Sequence, residues 1–555
     1  MPKVLLVMFL VTFMTQISDA SSSKNVNKAK PVKAVDHKAK TIVSEPAKTS
    51  DMISGETKLS RIDARHLLAR THFSVDLETL SALTGKSRND AIKWLFNQQK
   101  LARRPLPPRW LKSFVKLIKK LKKEDTRLSV EDLDLVLGAL KEEPQLKKSI
   151  DSLYNSVQNK DSKNHIHRLR RVLFLDLQNW WFNQMLYTKA PLVERMTLFW
   201  HSHFTTAFKK VKDLGALYRQ NQLLRKEALG SFRELLHDVS KSVAMLKYLD
   251  GSKNKKNNPN EKLARAVMEI FTLGKGRGYS ENDIKEAAKA FTGWSVKNGK
   301  FFFNTTVHDK GEKFIFGKSD TYHGDDIINM ILEKKQTARY ISTILWKQFA
   351  GRHHHLPMAL HRSLTQKLYD SDYQIKPVIR MILQSNAFYD SKKSIIKSPI
   401  DLVAGAVLDL EIEASYYTTL IEAASNLGQN LFNPPSVRGW PGGEHWLNSE
   451  SVTARKSILS RLLRISEENL TGRKKSDQNK QSAKTQTVNP SSTKININTD
   501  HIDYKFNKNQ WLSQFKSEQD AIIKILPISS KNPLSGVERK HWPKALLLDS
   551  NYQHR

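Results

Sequence analysis

The sequence predicts a mainly α-helical protein, built as one large multi-helix domain with a small β-hairpin insertion. Apolar residues recur at helical spacing along much of the chain. Residues 301–317, FFFNTTVHDKGEKFIFG, differ because two aromatic runs flank a turn at 308–311, which predicts a hairpin. A chain of 555 residues exceeds what one core usually supports, about 250–300 residues. We therefore expect two lobes or one domain with insertions.

The N-terminus has the pattern of a secretory signal peptide. Lys3 precedes the apolar run 4–13, and Ser18-Asp19-Ala20 offers a small-x-small cleavage site. We interpret residues 1–20 as a signal peptide and 21–58 as a disordered basic linker. The protein is therefore expected to be exported, to the periplasm or the extracellular space, with a membrane as partner only if the N-terminal segment stays uncleaved.

The net charge and the cysteine content limit the partners and the reactions that the protein can have. The 91 lysines and arginines against 55 acidic residues give a formal net charge of +36, which favours anionic partners. The chain has no cysteine, which excludes disulfides and thiol chemistry. We expect no nucleic-acid partner, because the sequence has no groove-reading motif and no aromatic-basic repeat.

Helix signals organise the domain from residue 59 to 465. Ser60 and Asp63 predict the N-terminal cap of a first helix, and a second is predicted over 89–99. Leucine and lysine alternate at helical spacing over 109–160, which indicates amphipathic helices. The helix after Arg171 is apolar nearly all round and should be central.

The stretch 191–206, PLVERMTLFWHSHFTT, has the densest mixture of apolar and ionisable residues. Pro191 suits the first helical position, and Glu194 and His201 fall nearly on one face. His201 and His203 point in nearly opposite directions on a continuous helix, so they could share a metal only if the helix ended near Trp200. One interpretation is a core helix with a hydrogen-bonded histidine; the other is a catalytic or metal-binding pair.

A second polar pattern follows in residues 257–294. Glu261, Arg265 and Glu269 are four apart on a helix that should begin near Asn260 and end at Gly274. This spacing predicts a ladder of ion pairs. The ladder is either a solvated ridge or a ridge that faces a cleft, with a carboxylate as general base.

Three further segments supply candidate groups. His308 and Asp309, with His323, Asp325 and Asp326, offer metal donors without a specific spacing. Asp325 is equally explained as the N-cap of a helix over 327–332.

Residues 433–446, NPPSVRGWPGGEHW, predict a rigid loop. In this loop Trp440 and Trp446 either fill the core or, with Arg438, bind a sugar and an anionic group. Residues 466–505 are a low-complexity insertion, and 506–555 form a C-terminal helical segment with its last helix over 542–548.

The ordered motifs resemble the bacterial family called "domain of unknown function 1800" (DUF1800). They include ARHLLARTHFSV, PLVERMTLFWHSHFTT, NPNEKLARAVMEIFTLGKGRGYSENDIKEAAKAFTGW, HDKGEKFIFG, LFNPPSVRGWPGG and LLLDSNYQHR. The resemblance implies a largely helical exported protein, often with a sulfatase-like protein encoded nearby. It implies no reaction. The family's recurring polar positions fall here on Glu194, His201, His203, Glu261, Arg265, Glu269, Trp294, His308, Asp309, Arg438 and Trp440.

Two functional hypotheses follow. In the first, the protein is an enzyme acting on envelope or extracellular polysaccharide, and groups around His201, Glu269 and His308 converge. Catalytic candidates are then His201, His203, Glu194, Glu269, Glu261, His308 and Asp309, and substrate-binding candidates are Arg265, Trp294, Arg438, Trp440 and Trp446. In the second, the same charges form buried structural pairs in a non-catalytic scaffold or binding module for anionic envelope polymers. The sequence specifies no metal and no cofactor.

Overall fold

The structure is a computed structural model that describes residues 52–102, 104–124, 128–141, 143–158, 165–414, 416–471, 504, 506–527 and 532–555. The predicted signal peptide lies outside these residues. So do the predicted linker except for 52–58 and the predicted low-complexity insertion except for 466–471 and 504. Residues 52–58 lie against the helical domain, since the Ser54 amide donates to the Gln384 carbonyl.

The first part of the described chain consists of helices joined by loops. Its helices are Arg61–Thr71 (α1), Leu77–Leu83 (α2), Arg88–Gln98 (α3), Leu111–Glu124 (α4), Val130–Leu137 (α5), Pro144–Gln158 (α6), His165–Tyr187 (α7) and Pro191–His203 (α8). The predicted cap of α1 is confirmed, because the Ser60 hydroxyl accepts from the Asp63 amide. The predicted second helix corresponds to α3.

Helix α7 is central, as its apolar sequence predicts. It packs against α6, α8 and three helices that come later in the chain. Buried side chains occupy every face of it from Leu169 onward, including Trp181 and Phe182. A helix that is covered on all sides needs no polar face, which explains its lack of amphipathic pattern.

The middle of the chain mixes short helices with the strands. The helices are Phe208–Val211 (α9), Leu214–Lys226 (α10), Phe232–Ser240 (α11), Val243–Tyr248 (α12), Glu261–Arg265 (α13), which continues as a π-helix over Ala266–Thr272, and Glu281–Ala290 (α14). A capping box of Ser280 and Asp283 starts α14, as predicted.

Two hairpins form where one was expected. Strand β1 (Trp294–Lys297) pairs antiparallel with β2 (Lys300–Phe303), and β3 (Lys313–Ile315) pairs antiparallel with β4 (Lys318–Asp320). The predicted pairing of the two aromatic runs in 301–317 is therefore wrong. Instead, the first aromatic run pairs with the strand that precedes it, and the second pairs with the strand that follows it. Asn298-Gly299 and Phe316-Gly317 all have positive φ, as two-residue hairpin turns require.

The remaining chain returns to helices. They are Gly324–Glu333 (α15), Lys335–Ala350 (α16), Met358–Asp370 (α17), Ile375–Gln384 (α18), Asn386–Asp390 (α19), Pro399–Asp409 (α20), Thr418–Asn426 (α21), Ser449–Thr471 (α22), Lys508–Ser513 (α23), Glu518–Ile525 (α24) and Trp542–Leu548 (α25). The predicted last helix over 542–548 is confirmed.

Helix α15 does not begin as predicted. Its N-cap is His323, whose amide donates to the Asp326 carboxylate at 2.8 Å. Asp325 lies inside the first turn and accepts from Lys241 at 2.6 Å. The helix starts at Gly324, before the apolar pattern from Ile327, so its N-cap is His323, two residues ahead of Asp325.

The fold is thus mainly helical, with two small hairpins. None of the described helices combines the length and the apolarity that crossing a membrane requires.

Candidate functional site

Helix α8 carries the two candidate histidines. Pro191 is at its first position, as predicted, and the helix runs unbroken to His203. His201 and His203 therefore lie on different sides of the helix and do not meet the geometric condition for a shared metal. Nowhere in the described ranges do three or more histidine and acidic side chains gather closely enough to hold a metal ion.

His201 sits in an aromatic cage. Its ring centroid is 5.1 Å from Trp181, 5.5 Å from Phe432 and 5.5 Å from Trp440, and the side chain is buried. Neither ring nitrogen has a hydrogen-bond partner among the described residues. Burial lowers the pKa of His201 to about 3, so the imidazole is neutral at physiological pH.

His203 is held differently. Its Nε2 donates to the Phe271 carbonyl oxygen at 2.9 Å, with Tyr340 and Phe204 around the ring. Burial lowers its pKa to about 4, although the hydrogen bond to Phe271 opposes the shift. Both histidines are thus neutral, and the contact to Phe271 ties α8 to the π-helix.

The neutral state of His201 predicts a pH effect on stability. Its pKa is lower in the folded chain than in the unfolded chain, where about 6.5 is normal, so the unfolded state gains a proton first as pH falls. When the pH falls from 6.5 to 4.5, the free energy of unfolding of the parent should therefore decrease. We expect this decrease to be smaller by about 2 kcal/mol in the His201→Leu variant. Urea denaturation at both pH values measures this difference. An identical loss in both chains would contradict the burial of a neutral His201.

Glu269 lies on the π-helix, where two arginines approach it. Arg438 Nη2 is 3.3 Å from Oε1, and Arg265 Nη1 is 3.6 Å from Oε2. Glu269 is buried, whereas the Arg438 side chain is largely exposed. Single π-helical turns often occur at functional sites, so the Glu269 carboxylate is still a candidate catalytic group.

The loop 433–446 joins these two regions. Gly439 has φ +80°, and a Cβ there would lie 2.3 Å from the Ser202 carbonyl oxygen, so the loop backbone touches the end of α8. From this position Arg438 reaches Glu269 and Trp440 reaches His201. The structure thereby brings together three motifs that are far apart in sequence, around His201, Glu269 and Arg438.

Arg265 has the predicted ladder and one additional partner. It binds Glu261 at 2.9 Å, Glu269 at 3.6 Å and Glu281 of α14 at 2.7 Å. The hydrogen bonds that Arg265 donates to Glu281 and then to Glu261 raise its pKa. Glu281 is exposed and the Glu261 side chain is partly exposed, so this end of the ladder is a solvated ridge.

Glu194 is committed to a buried ion pair. Arg225 Nε and Nη2 donate to its two carboxylate oxygens at 2.6 and 3.0 Å, and Arg225 also binds Asn221. Both side chains of the pair are buried. Bidentate pairing of this kind fixes both groups and connects α8 to α10.

A large cavity that the sequence did not reveal lies beside these elements. It has a volume of about 1280 Å³ and is bounded by α4, α10, the region of α11 and α12, and the β1–β2 hairpin. Phe114, Ile118, Leu223, Val296 and Phe301 form much of its apolar wall. We call it the cationic cavity, because seven basic side chains line it: Lys119, Arg170, Lys212, Arg219, Lys241, Lys247 and Lys300.

Only two carboxylates, Asp213 and Asp238, line the same cavity. Asp213 is already bound by Lys247 at 2.5 Å. Within the described part of the chain, Lys119, Arg219 and Lys300 form no ion pair, although the charge of Arg219 acts on Asp213, and all three side chains are exposed to solvent. The cavity therefore presents uncompensated positive charge beside apolar surface, an environment that attracts anions.

The model of the family described as "Protein of unknown function (DUF1800)" matches residues 66–528. The chain belongs to the DUF1800 family. The resemblance of its ordered motifs is thus confirmed. Neither a curated protein nor a solved structure matches this chain.

In this DUF1800 protein, His308 lies in a different environment from His201 and Glu269. Its Nδ1 donates to the Thr292 carbonyl oxygen at 2.9 Å, and its ring stacks on His323 with 4.7 Å between centroids. Burial lowers its pKa. Asp309 accepts from the Gly311 amide within the same loop. The contacts of this pair thus organise the link between the hairpins.

The candidate tryptophans of the DUF1800 protein are mostly covered. Trp294 packs against Phe291 and Phe301, and the Lys241 ammonium lies 5.5 Å from its ring centroid. Trp294 and Trp440 are buried, while Trp446 is partly buried with its Nε1 enclosed. Little ring surface is therefore free for stacking on a sugar. The ring of Trp294 instead contacts the ammonium group of Lys241, and Lys241 lines the cationic cavity.

Proposed function

We propose that this DUF1800 protein is an exported binding module for anionic polymers, with an acidic polysaccharide seated in the cationic cavity. The observation that carries the proposal is the lining of that cavity, where seven basic side chains meet two carboxylates. Lys241 is paired with Asp325 and Lys247 with Asp213, which leaves an excess of basic groups. The apolar wall gives the sugar rings a surface, and the basic groups bind sulfate or carboxylate substituents. Export rests on the signal-peptide pattern of residues 1–20.

The state of the candidate catalytic groups supports binding over catalysis. His201 is buried, His203 is partly buried, and both imidazoles are neutral, while Glu194 is fully engaged by Arg225. A general base must reach a proton of the substrate. The enclosed imidazole of His201 does not, and the Nε2 of His203 is already bound to the Phe271 carbonyl oxygen. Most of the charged residues at the recurring family positions form ion pairs with other residues of the protein, as the scaffold hypothesis requires.

An enzyme acting on envelope polysaccharide is the second candidate. It is favoured by one observation, the buried Glu269 on a π-helical turn beside the exposed Arg438. In this candidate Glu269 is the reacting carboxylate and Arg438 binds the anionic group. Release of reducing ends from an acidic polysaccharide, lost in Glu269→Gln with binding retained, would establish it.

Retention on immobilised sulfated dextran, with neutral dextran as the matched matrix, tests the binding proposal. We expect retention on the sulfated matrix only, and a steep decrease between about 50 and about 500 mM NaCl because salt screens exposed charges. Equal retention on both matrices, or none on either, would contradict the proposal. A sulfated ligand would also suit the sulfatase-like protein that the family resemblance implies as a partner.

A further inference from the structure

A second group of basic residues is enclosed where α1, α8, α22, α24 and the C-terminal segment meet. Each of these side chains is at least nine-tenths buried. We call them the buried cation cluster: Arg65, Arg70, Arg195, Lys397, Arg455, Lys524 and Arg555. Within the described residues, Asp401 and Asp409 are the buried carboxylates that line the cavity between them. Five of the cations line this cavity. Lys524 is paired outside the cavity lining with Glu411 at 3.2 Å, so four lining cations face the two buried carboxylates.

The two carboxylates leave part of this charge uncompensated. Asp401 is bound by Arg195 at 2.6 Å and approached by Arg555 at 3.6 Å. Burial alone would raise the pKa of Asp401, but the two arginines outweigh it and lower the pKa. Asp409 accepts from two neutral donors, the hydroxyls of Ser74 and Tyr552. A buried charge without a counter-charge is costly, so the cluster requires another anion.

Several donors of the cluster have no partner in the described structure. They are Nε and Nη1 of Arg70, Nη1 of Arg455, and Nε and Nη1 of Arg555. A guanidinium stays protonated and can only donate, so each of these atoms needs an acceptor. Of the three arginines, Arg555 lines the cavity, whereas Arg70 and Arg455 do not. Lys397 has its ammonium 3.4 Å from the ring centroid of Tyr552, a contact that does not neutralise its charge.

The cavity inside the cluster has a definite size. Its volume is about 20 Å³, and its lining includes Arg65, Arg195, Lys397, Lys524 and Arg555. A space of this size holds a water molecule or one monatomic ion. A phosphate or sulfate group is too large for it. Water could accept the hydrogen bonds, but it would leave the excess positive charge in place.

We propose that this cavity is a halide site, in which one chloride ion accepts from Arg555 and neighbouring cations of the cluster. The ion connects helix α1, helix α8 and the C-terminal segment through their basic side chains. It acts on the stability of the fold and is independent of polymer binding in the cationic cavity.

Thermal unfolding of the full chain tests the site first. Sodium chloride is compared with sodium methanesulfonate at equal ionic strength, so that general screening is the same in both. We expect a saturable rise in Tm with chloride alone, of about 2–3 °C when chloride reaches 100 times its Kd. Equal Tm values in the two salts would overturn the proposal.

Crystals grown in sodium bromide then locate the ion by anomalous scattering. We expect a bromide peak in the cavity beside Arg555 and Arg195, and a map without that peak would overturn the proposal. Arg555→Gln should also lose the dependence of Tm on chloride, whereas the exposed Arg362→Gln should keep it. If Arg555→Gln does not fold, the bromide map and the parent Tm still decide the question.

Discussion

Replacing Lys119, Arg219 and Lys300 with glutamate is expected to weaken binding of sulfated dextran by about 100-fold or more. These three side chains line the cationic cavity, are exposed and form no ion pair with a described residue. Each change removes an attraction and adds a repulsion at the same place. Isothermal titration calorimetry at low salt measures the affinity.

The matched control carries the same change in net charge elsewhere. Lys347, Arg362 and Lys367 are exposed on α16 and α17 and do not line the cavity. Their replacement with glutamate should leave affinity within a few-fold of the parent. If both triple variants lose binding equally, only the overall charge of the chain matters, and the cationic cavity is not the binding site.

Glu194→Gln is expected to lower the free energy of unfolding by about 3–5 kcal/mol. The substitution leaves Arg225 charged and buried without its bidentate partner. Chemical denaturation with a circular dichroism readout measures the loss. Because the fold itself is weakened, loss of any function in a Glu194 variant would not identify a catalytic role for this residue.

Two further variants serve as controls for the effect of Glu194→Gln on stability. Glu261→Gln breaks an exposed pair with Arg265 and should cost less than about 1 kcal/mol. Replacing Glu194 and Arg225 together with methionine should recover much of the loss, since no charge is then left unpaired. A Glu194→Gln chain as stable as the parent would contradict a structural pair.

Local signals in the sequence predicted the helices well. The cap at Ser60, the capping box at Ser280 and the start of α8 at Pro191 each depend on a few neighbouring residues. The hairpins were harder, because aromatic runs indicate strands without specifying their partners. The turn at Asn298-Gly299 was the stronger signal, and it lies outside the stretch from which pairing was predicted.

The candidate site could be predicted only in part. Helical periodicity alone places His201 and His203 on different sides of α8. It does not reveal that Trp440 covers one and that Phe271 binds the other. The cationic cavity could not be predicted, because its basic residues come from segments between 119 and 300 and form no charge run. Such groupings depend on tertiary packing.

Lysine footprinting with an amine-reactive reagent tests the central claim most directly. The full chain is labelled with and without sulfated dextran, and modification is measured by mass spectrometry. Binding in the cationic cavity predicts protection of Lys119, Lys212 and Lys300, with Lys347 and Lys367 unchanged. Protection confined to the lysines of residues 21–58 would show that the basic N-terminal segment holds the polymer, and would contradict this account.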